Sequence, residues 1–202
     1  MVDFQSRDTR GGAGGLETPD ETDEAADSRP DEPEPNSTET AEGVLGFGVV
    51  TVGSEHTVDD DTAGDAVVEA VGDVGKVVIR EVIDDRYDGV QSTVGSLADR
   101  GDVDVVVTLG GTGPEPGDVT VDAVAPLLDK HLPGIGELLR RRFVEKRDTA
   151  AVRTRAMGGT LDGVPVFCLP GDPELAETAA IAVVVPEAGT IAELAALPVE
   201  EE

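Results

Sequence analysis

The sequence predicts an α/β domain built as a three-layer sandwich, a mostly parallel central sheet with helices on both faces. Two observations carry this. Short apolar runs alternate with segments of helical periodicity, and the apolar runs lack the in–out alternation of a half-exposed strand. Strands apolar on both faces belong to sheets covered on both sides.

The elements follow in order. Residues 46–53, "GFGVVTVG", read as a buried strand, and 62–75, "TAGDAVVEAVGDVG", as a helix closed by glycine. Residues 76–83, "KVVIREVI", form a second strand and 87–101, "YDGVQSTVGSLADRG", a second helix closed by glycine. "VDVVVTL", 103–109, is a third strand. "TVDAVAPLLDKHL", 120–132, reads as helical with Thr120 as N-cap, and "IGELLRRRFVEKR", 135–147, as helical. "VPVFCLPG", 164–171, is the fourth clear strand, followed by helices over 173–185 and 190–197. Residues 1–42 hold almost no large apolar side chain. They read as a disordered acidic tail, since so little burial cannot offset the entropy of ordering. The folded domain is expected over 43–202.

The formal net charge is −28, from 43 acidic and 15 basic residues. The first 42 residues hold 13 of the acidic and 3 of the basic ones, so the remainder still stands near −18. Such a surface repels nucleic acid and anionic lipid, so neither is an expected partner. Scarce lysine with abundant Asp and Val suits a salt-rich, halophilic cytoplasm, because at about 1 M salt the Debye length shrinks to ~3 Å, with an ordinary acidic soluble protein as the alternative. No stretch reads as long and apolar enough to span a membrane, and the N-terminus has no signal-peptide core, so a cytoplasmic protein is expected. The lone Cys168 excludes an internal disulfide and reads as a buried strand residue.

In doubly covered sheets ligands bind beyond the carboxyl ends of the strands. "TLGGTGPEPGD", 108–118, lies at such an end, as do "VIDD", 82–85, and "LPGDP", 169–173. Gly110, Gly111, Thr112 and Gly113 suit a nest of backbone amides around a phosphate. The stretch is neither a Walker loop nor a dinucleotide fingerprint. Asp118 would repel a phosphate unless a cation stands between them, and Mg²⁺ held by one or two carboxylates plus phosphate oxygens fills that role. Asp84 or Asp85 would supply the second carboxylate. A tight turn before an acidic helix start explains the same residues without a ligand. His56 and His131 fit no metal-ligand spacing, and His131 reads as a partner of a helix dipole. The arginines of "LLRRR", 138–142, read as a solvated helix face with subunit ion pairs, or as cations facing an anionic ligand.

"TLGGTGPEPGDVTVDAV" resembles the signature of the MoaB/Mog family of molybdenum cofactor biosynthesis. Further likenesses follow in family order: "DDDTAG", "VIDD", "LPGIGELLR", "RTRAMGG" and "FCLPGDP". The resemblance runs from about residue 43 to 202. It implies a molybdopterin-binding α/β fold assembled as a homotrimer or hexamer. It also implies adenylylation of molybdopterin with Mg-ATP, with Asp84 and Asp118 as catalytic and Mg²⁺-holding carboxylates. Gly110, Gly111, Thr112, Gly113, Thr154, Arg155, Pro170 and Gly171 become substrate-binding residues. Four positions depart from the family pattern: Ser54 for an aspartate, Leu109 for a threonine, Phe143 for a substrate-contacting serine, and Asp172 for the serine of the LPG-S-P motif. Lost hydroxyls and an added carboxylate would oppose an anionic substrate. A non-catalytic molybdopterin- or nucleotide-binding protein of the same fold is therefore the alternative. The related domain of nucleotide-recycling CinA proteins carries a G-G-L-G-P-T loop, against which Thr112 argues.

Overall fold

The structure, a computed structural model, describes residues 44–53 and 57–197. The expected tail, Ser54 and His56 lie outside the described residues. The chain runs β1 (Leu45–Val52), α1 (Thr62–Val71), β2 (Gly75–Ile83), α2 (Tyr87–Ala98), β3 (Val105–Leu109), α3 (Thr120–Val124), β4 (Lys130–His131), α4 (Pro133–Arg147), β5 (Met157–Leu161), β6 (Val164–Leu169), α5 (Pro173–Ala179) and α6 (Val185–Ala195).

The strands form one six-stranded sheet in the order β2-β1-β3-β6-β5-β4. β2, β1, β3 and β6 pair in parallel, while β5 and β4 are antiparallel additions. Alternate residues of the central strands feed two cores. Phe47, Val49, Val105, Val107, Leu109, Phe167 and Leu169 join Val67, Leu139, Phe143, Ala176 and Val183 on one face. Val50, Val52, Val106, Val166 and Cys168 join Val90, Val94, Leu97 and Val124 on the other. This is the doubly covered sheet expected from runs without alternation. Burial pushes the Cys168 thiol up to about 12, only partly opposed by its hydrogen bond with Thr108, so it stays an inert core thiol.

Four expectations need correction. The helix over 120–132 ends at Val124. A 3-10 turn carrying Pro126 follows, Leu128 turns extended, and β4 then pairs with β5. The proline cannot donate the bond that would continue the helix. Asp129 and Leu132 instead donate to the Thr160 and Gly158 carbonyls at 2.8 and 2.9 Å. β5 itself, "MGGTL", has little strand propensity. Its Gly159 is required because a Cβ there would collide with the Lys130 carbonyl of β4. Thr120 is the first residue of α3 rather than its cap, which is Val119.

Residues 173–195 form one continuous helix rather than two. A π turn at Ala180–Val184 precedes Pro186 and carries the chain past it. At 23 residues and a mean hydropathy of 1.4, this helix does reach the length and composition of a membrane span. Its Ala176, Ala179, Ala180, Val183, Val184 and Ala188 are buried in the core of the domain.

Candidate phosphoryl-binding site at the strand switch point

β1 leads to β2 on one side and stands beside β3 on the other, so the order of strands reverses between β1 and β3. A crevice opens at the carboxyl ends of strands at such a point. Here a cavity of about 410 Å³ is lined by Val52 and Gly53 at the end of β1, Gly110–Gly113 and Asp118 after β3, and Pro170 and Gly171 after β6. Ala150, Arg153, Thr154 and Leu175 complete the wall.

Close approach explains the glycines. Gly110 and Gly111 have φ of 90° and 64°, a region costly for other residues. A Cβ on Gly110 would lie 2.5 Å from the Val52 carbonyl oxygen, and one on Gly111 would collide with the Thr120 hydroxyl. A Cβ on Gly113 would lie 2.5 Å from Asp118 Oδ2. The loop is held from behind. Gly110 N–H donates to the Leu169 carbonyl at 3.0 Å, the Gly111 carbonyl accepts from Thr120 N–H at 3.1 Å, and the Thr112 carbonyl accepts from Arg155 N–H at 2.7 Å. The amides of Gly111, Thr112 and Gly113 meet no acceptor among the described residues. The Thr120 hydroxyl, packed behind Gly111, is also buried without a partner among the described residues. Unpaired donors on a glycine cradle fit an anionic ligand.

Asp118 stands at this cradle. Its Oδ2 accepts from Glu115 N–H at 2.8 Å, which fixes the turn before α3. Thr112 and Thr154 approach oxygen to oxygen at 3.4 Å, and the Thr154 hydroxyl accepts from Ala156 N–H at 3.2 Å. Asp84 is exposed and does not line the cavity. Asp85 is exposed too, but its Oδ2 lies 3.1 Å from where a Cβ on Gly117 would sit, beside the residue preceding Asp118. Among the described residues no three His, Cys, Asp or Glu side chains cluster as a metal site. Mg²⁺, which keeps waters and leans on one or two carboxylates plus substrate phosphates, does not require such a cluster. Asp118 and the cradle fit it.

Arg155 lies outside the loop cavity and lines the one that adjoins it at Thr154. Its Nε donates to the Gly113 carbonyl at 3.0 Å, Nη2 to the Asp118 carbonyl at 2.6 Å, and Nη1 to both Asp122 oxygens at 2.9 Å. The guanidinium thus ties both ends of the loop to α3 and does not line the loop cavity. Sequence reasoning missed Arg153, which does line it and makes no hydrogen bond or ion pair among the described residues. The signal available was another arginine two residues before Arg155.

The departures also change meaning. Phe143 and Leu109 are fully buried in the same core layer, so neither is a weakened ligand-binding position. Asp172 caps α5, accepting from Leu175 N–H at 3.1 Å, and both its carboxylate oxygens accept from Arg147 Nη2, at 2.9 and 3.0 Å. Partial burial pushes its carboxyl up, but the Arg147 guanidinium and the Leu175 amide outweigh that and hold it below the ordinary range. The added charge is therefore compensated within the fold.

A second cavity, about 490 Å³, lies on the other side of Thr154. Its lining includes His131, Leu132, Arg140, Arg155 and Met157. His131 is exposed on β4 just before Leu132, the N-cap of α4, the end of a helix whose dipole does not favour a cation. Arg140 faces this cavity, its Nη1 lying 3.2 Å from a Cβ position on Gly136, while Arg141 and Arg142 line neither cavity.

Sheet order, a cavity at the strand switch point and a glycine cradle together define an α/β protein with a candidate anion site at the carboxyl ends of its parallel strands. The sequence profile described as "Probable molybdopterin binding domain" matches residues 48–190, and the chain belongs to that family. It is 37% identical to molybdenum cofactor biosynthesis protein B of Bacillus cereus over 145 residues, covering 71% of this chain and 86% of that one. The corresponding protein of Halalkalibacterium halodurans is 33% identical over 145 residues, with 71% and 85% covered. Among solved structures, a molybdenum cofactor biosynthesis protein B superimposes with a TM-score of 0.74 at 34% identity, covering 77% of this chain and 98% of that one. The tungsten cofactor synthesizing protein MoaB from Pyrococcus furiosus gives 0.68 at 32% identity, covering 75% and 97%.

Proposed function

We propose that the protein acts in molybdenum or tungsten cofactor biosynthesis by adenylylating molybdopterin with Mg-ATP. One observation carries the reading: the unpaired amides of Gly111, Thr112 and Gly113 line a switch-point cavity together with the Asp118 carboxylate. In the reaction, a terminal phosphate oxygen of molybdopterin attacks the α-phosphorus of ATP. The new P–O bond forms as the bond from the α-phosphorus to the oxygen bridging the β-phosphorus breaks, and that oxygen leaves on pyrophosphate. Mg²⁺, leaning on Asp118, would neutralise charge gathering on the phosphate oxygens.

The chain's own residues position and stabilise. The glycine amides offer donors to phosphoryl oxygens without reorganising, because the loop is already pinned through Gly110, Gly111 and Thr112. Arg155 fixes the Asp118 backbone relative to Gly113, so carboxylate and amides keep one geometry. Thr112 and Thr154 add hydroxyls at the cavity wall. The approach of Asp85 Oδ2 to Gly117, next to Asp118, supports Asp85 over Asp84 as the second carboxylate. Assembly as a homotrimer or hexamer and a cytoplasmic location belong to the same reading.

The test is incubation of the full chain with molybdopterin and Mg-ATP in molar KCl. Adenylylated molybdopterin and stoichiometric pyrophosphate are expected. Binding of both substrates with no product would establish instead the non-catalytic binding protein, which the exposed position of Asp84 favours.

A further inference from the structure

We infer that Arg153 is the cationic anchor of the phosphoryl site, the group that seats a substrate phosphate on the Gly110–Gly113 cradle. The inference rests on the phosphoryl-transfer reading of that cavity. Three observations carry it. Arg153 lines the same cavity as the cradle, Thr112 and Asp118. Among the described residues it has no carboxylate or carbonyl partner, so its donors are uncommitted. Arg155 is committed to loop carbonyls and Asp122, Arg147 to Asp172 and Glu174, and Arg140 faces the second cavity instead.

The physical need is plain. A phosphoryl group approaching this cavity meets the Asp118 carboxylate and, beyond it, a chain of net charge −28. Amide dipoles alone must hold several negative oxygens against that field. A guanidinium offers planar paired donors matched to phosphate oxygens and keeps its charge at any working pH. The backbone places it. The 3-10 turn Asp148–Arg153 ends at Arg153, Thr154 turns extended, and Arg155 N–H locks onto the Thr112 carbonyl at 2.7 Å. Arg153 is therefore held two residues from a fixed point on the loop it serves. The phosphate could belong to the nucleotide or to the phosphorylated pterin, and the two differ in what they carry beyond it.

Titration calorimetry on the full chain at one fixed KCl concentration tests this, with inorganic pyrophosphate, Mg-ATP and molybdopterin as separate probes. Arg153→Gln should weaken pyrophosphate binding about tenfold or more, the loss of one charge-assisted contact. Arg153→Lys should keep part of the affinity, and Arg141→Ala, outside both cavities, should keep all of it. Arg153→Gln should also flatten the KCl dependence of pyrophosphate affinity, because a screened pair has been removed. A loss confined to Mg-ATP assigns the anchor to the nucleotide, and one confined to molybdopterin assigns it to the pterin phosphate. Wild-type affinity for all three probes in the folded Arg153→Gln protein overturns the inference, as does failure of the wild type to bind any of them. Normal wild-type binding without adenylylated product would remove the adenylyltransferase reading and leave Arg153 standing.

Discussion

Phe143→Ser separates a binding role from a packing role. By family pattern this position would carry a substrate-contacting serine, so the substitution would be expected to restore a hydrogen bond and tighten molybdopterin binding. The structure reverses the expectation. Phe143 is 0% exposed and is among the largest fully buried side chains. It shares a core layer with Leu139, Ile135, Ala151 and Phe167. Truncating a buried phenylalanine costs about 3–5 kcal/mol, and a buried hydroxyl without a partner adds roughly 1–3 kcal/mol. The sum takes a large share of the about 5–15 kcal/mol that holds a typical domain together. At about 2–4 °C per kcal/mol for a domain of this size, the melting temperature should fall by more than about 10 °C. Urea unfolding in molar KCl, followed by circular dichroism, gives the free energy directly, and Phe143→Leu, which keeps most of the volume, should cost only about 1 kcal/mol. An unchanged urea midpoint for Phe143→Ser, accompanied by tighter molybdopterin binding, would refute the packing argument and restore the position to the site.

Asp118→Asn should leave the melting temperature nearly unchanged and lower adenylylation roughly a hundredfold, equivalent to about 3 kcal/mol of barrier; near-normal turnover would remove Asp118 from the chemistry. Asp85→Asn should cost more turnover than Asp84→Asn, measured side by side, and the opposite order would return the second carboxylate to Asp84. The acidic surface should make melting temperature climb steeply from about 0.1 M to molar KCl, as self-repulsion is screened; a flat profile would contradict this. Asp172, depressed in the fold, contributes stability above its ordinary range near ~3.9 and loses it as pH falls through the lower folded value. Arg147→Ala should therefore shift acid unfolding to higher pH, modestly because the pair is partly exposed, and an unmoved acid transition would show the pair to be idle.

Most of the described fold was legible because its signals are local. β1, β3 and β6 announce themselves as short apolar runs, and α1, α2 and α4 as periodic ones. β4 and β5 were not legible, because their strand character comes from each other. Lys130 and His131 are exposed, and β5 opens with Gly158 and Gly159 after Met157, so neither shows a strand pattern until the pair closes. The join between α5 and α6 was missed for the opposite reason. Pro186 is a breaker by local rules, and only the wider π turn before it lets the helix continue.

The candidate site shows a sharper limit. Gly110–Gly113, Asp118, Thr154, Pro170 and Gly171 are motif residues, and the structure brings them to one cavity. Motif comparison weighs each position alone, so it scores Asp172 as an added charge and Arg155 as a ligand. Charge is a property of pairs. Asp172 is answered by Arg147, 25 residues away in sequence, and Arg155 by Asp122, 33 away. Once those pairs are drawn, the cation left facing the cradle among the described residues is Arg153, which no motif singles out. The sequence departs from its family in single residues, while the charge offered to the loop cavity depends on which arginine the described fold leaves unpaired.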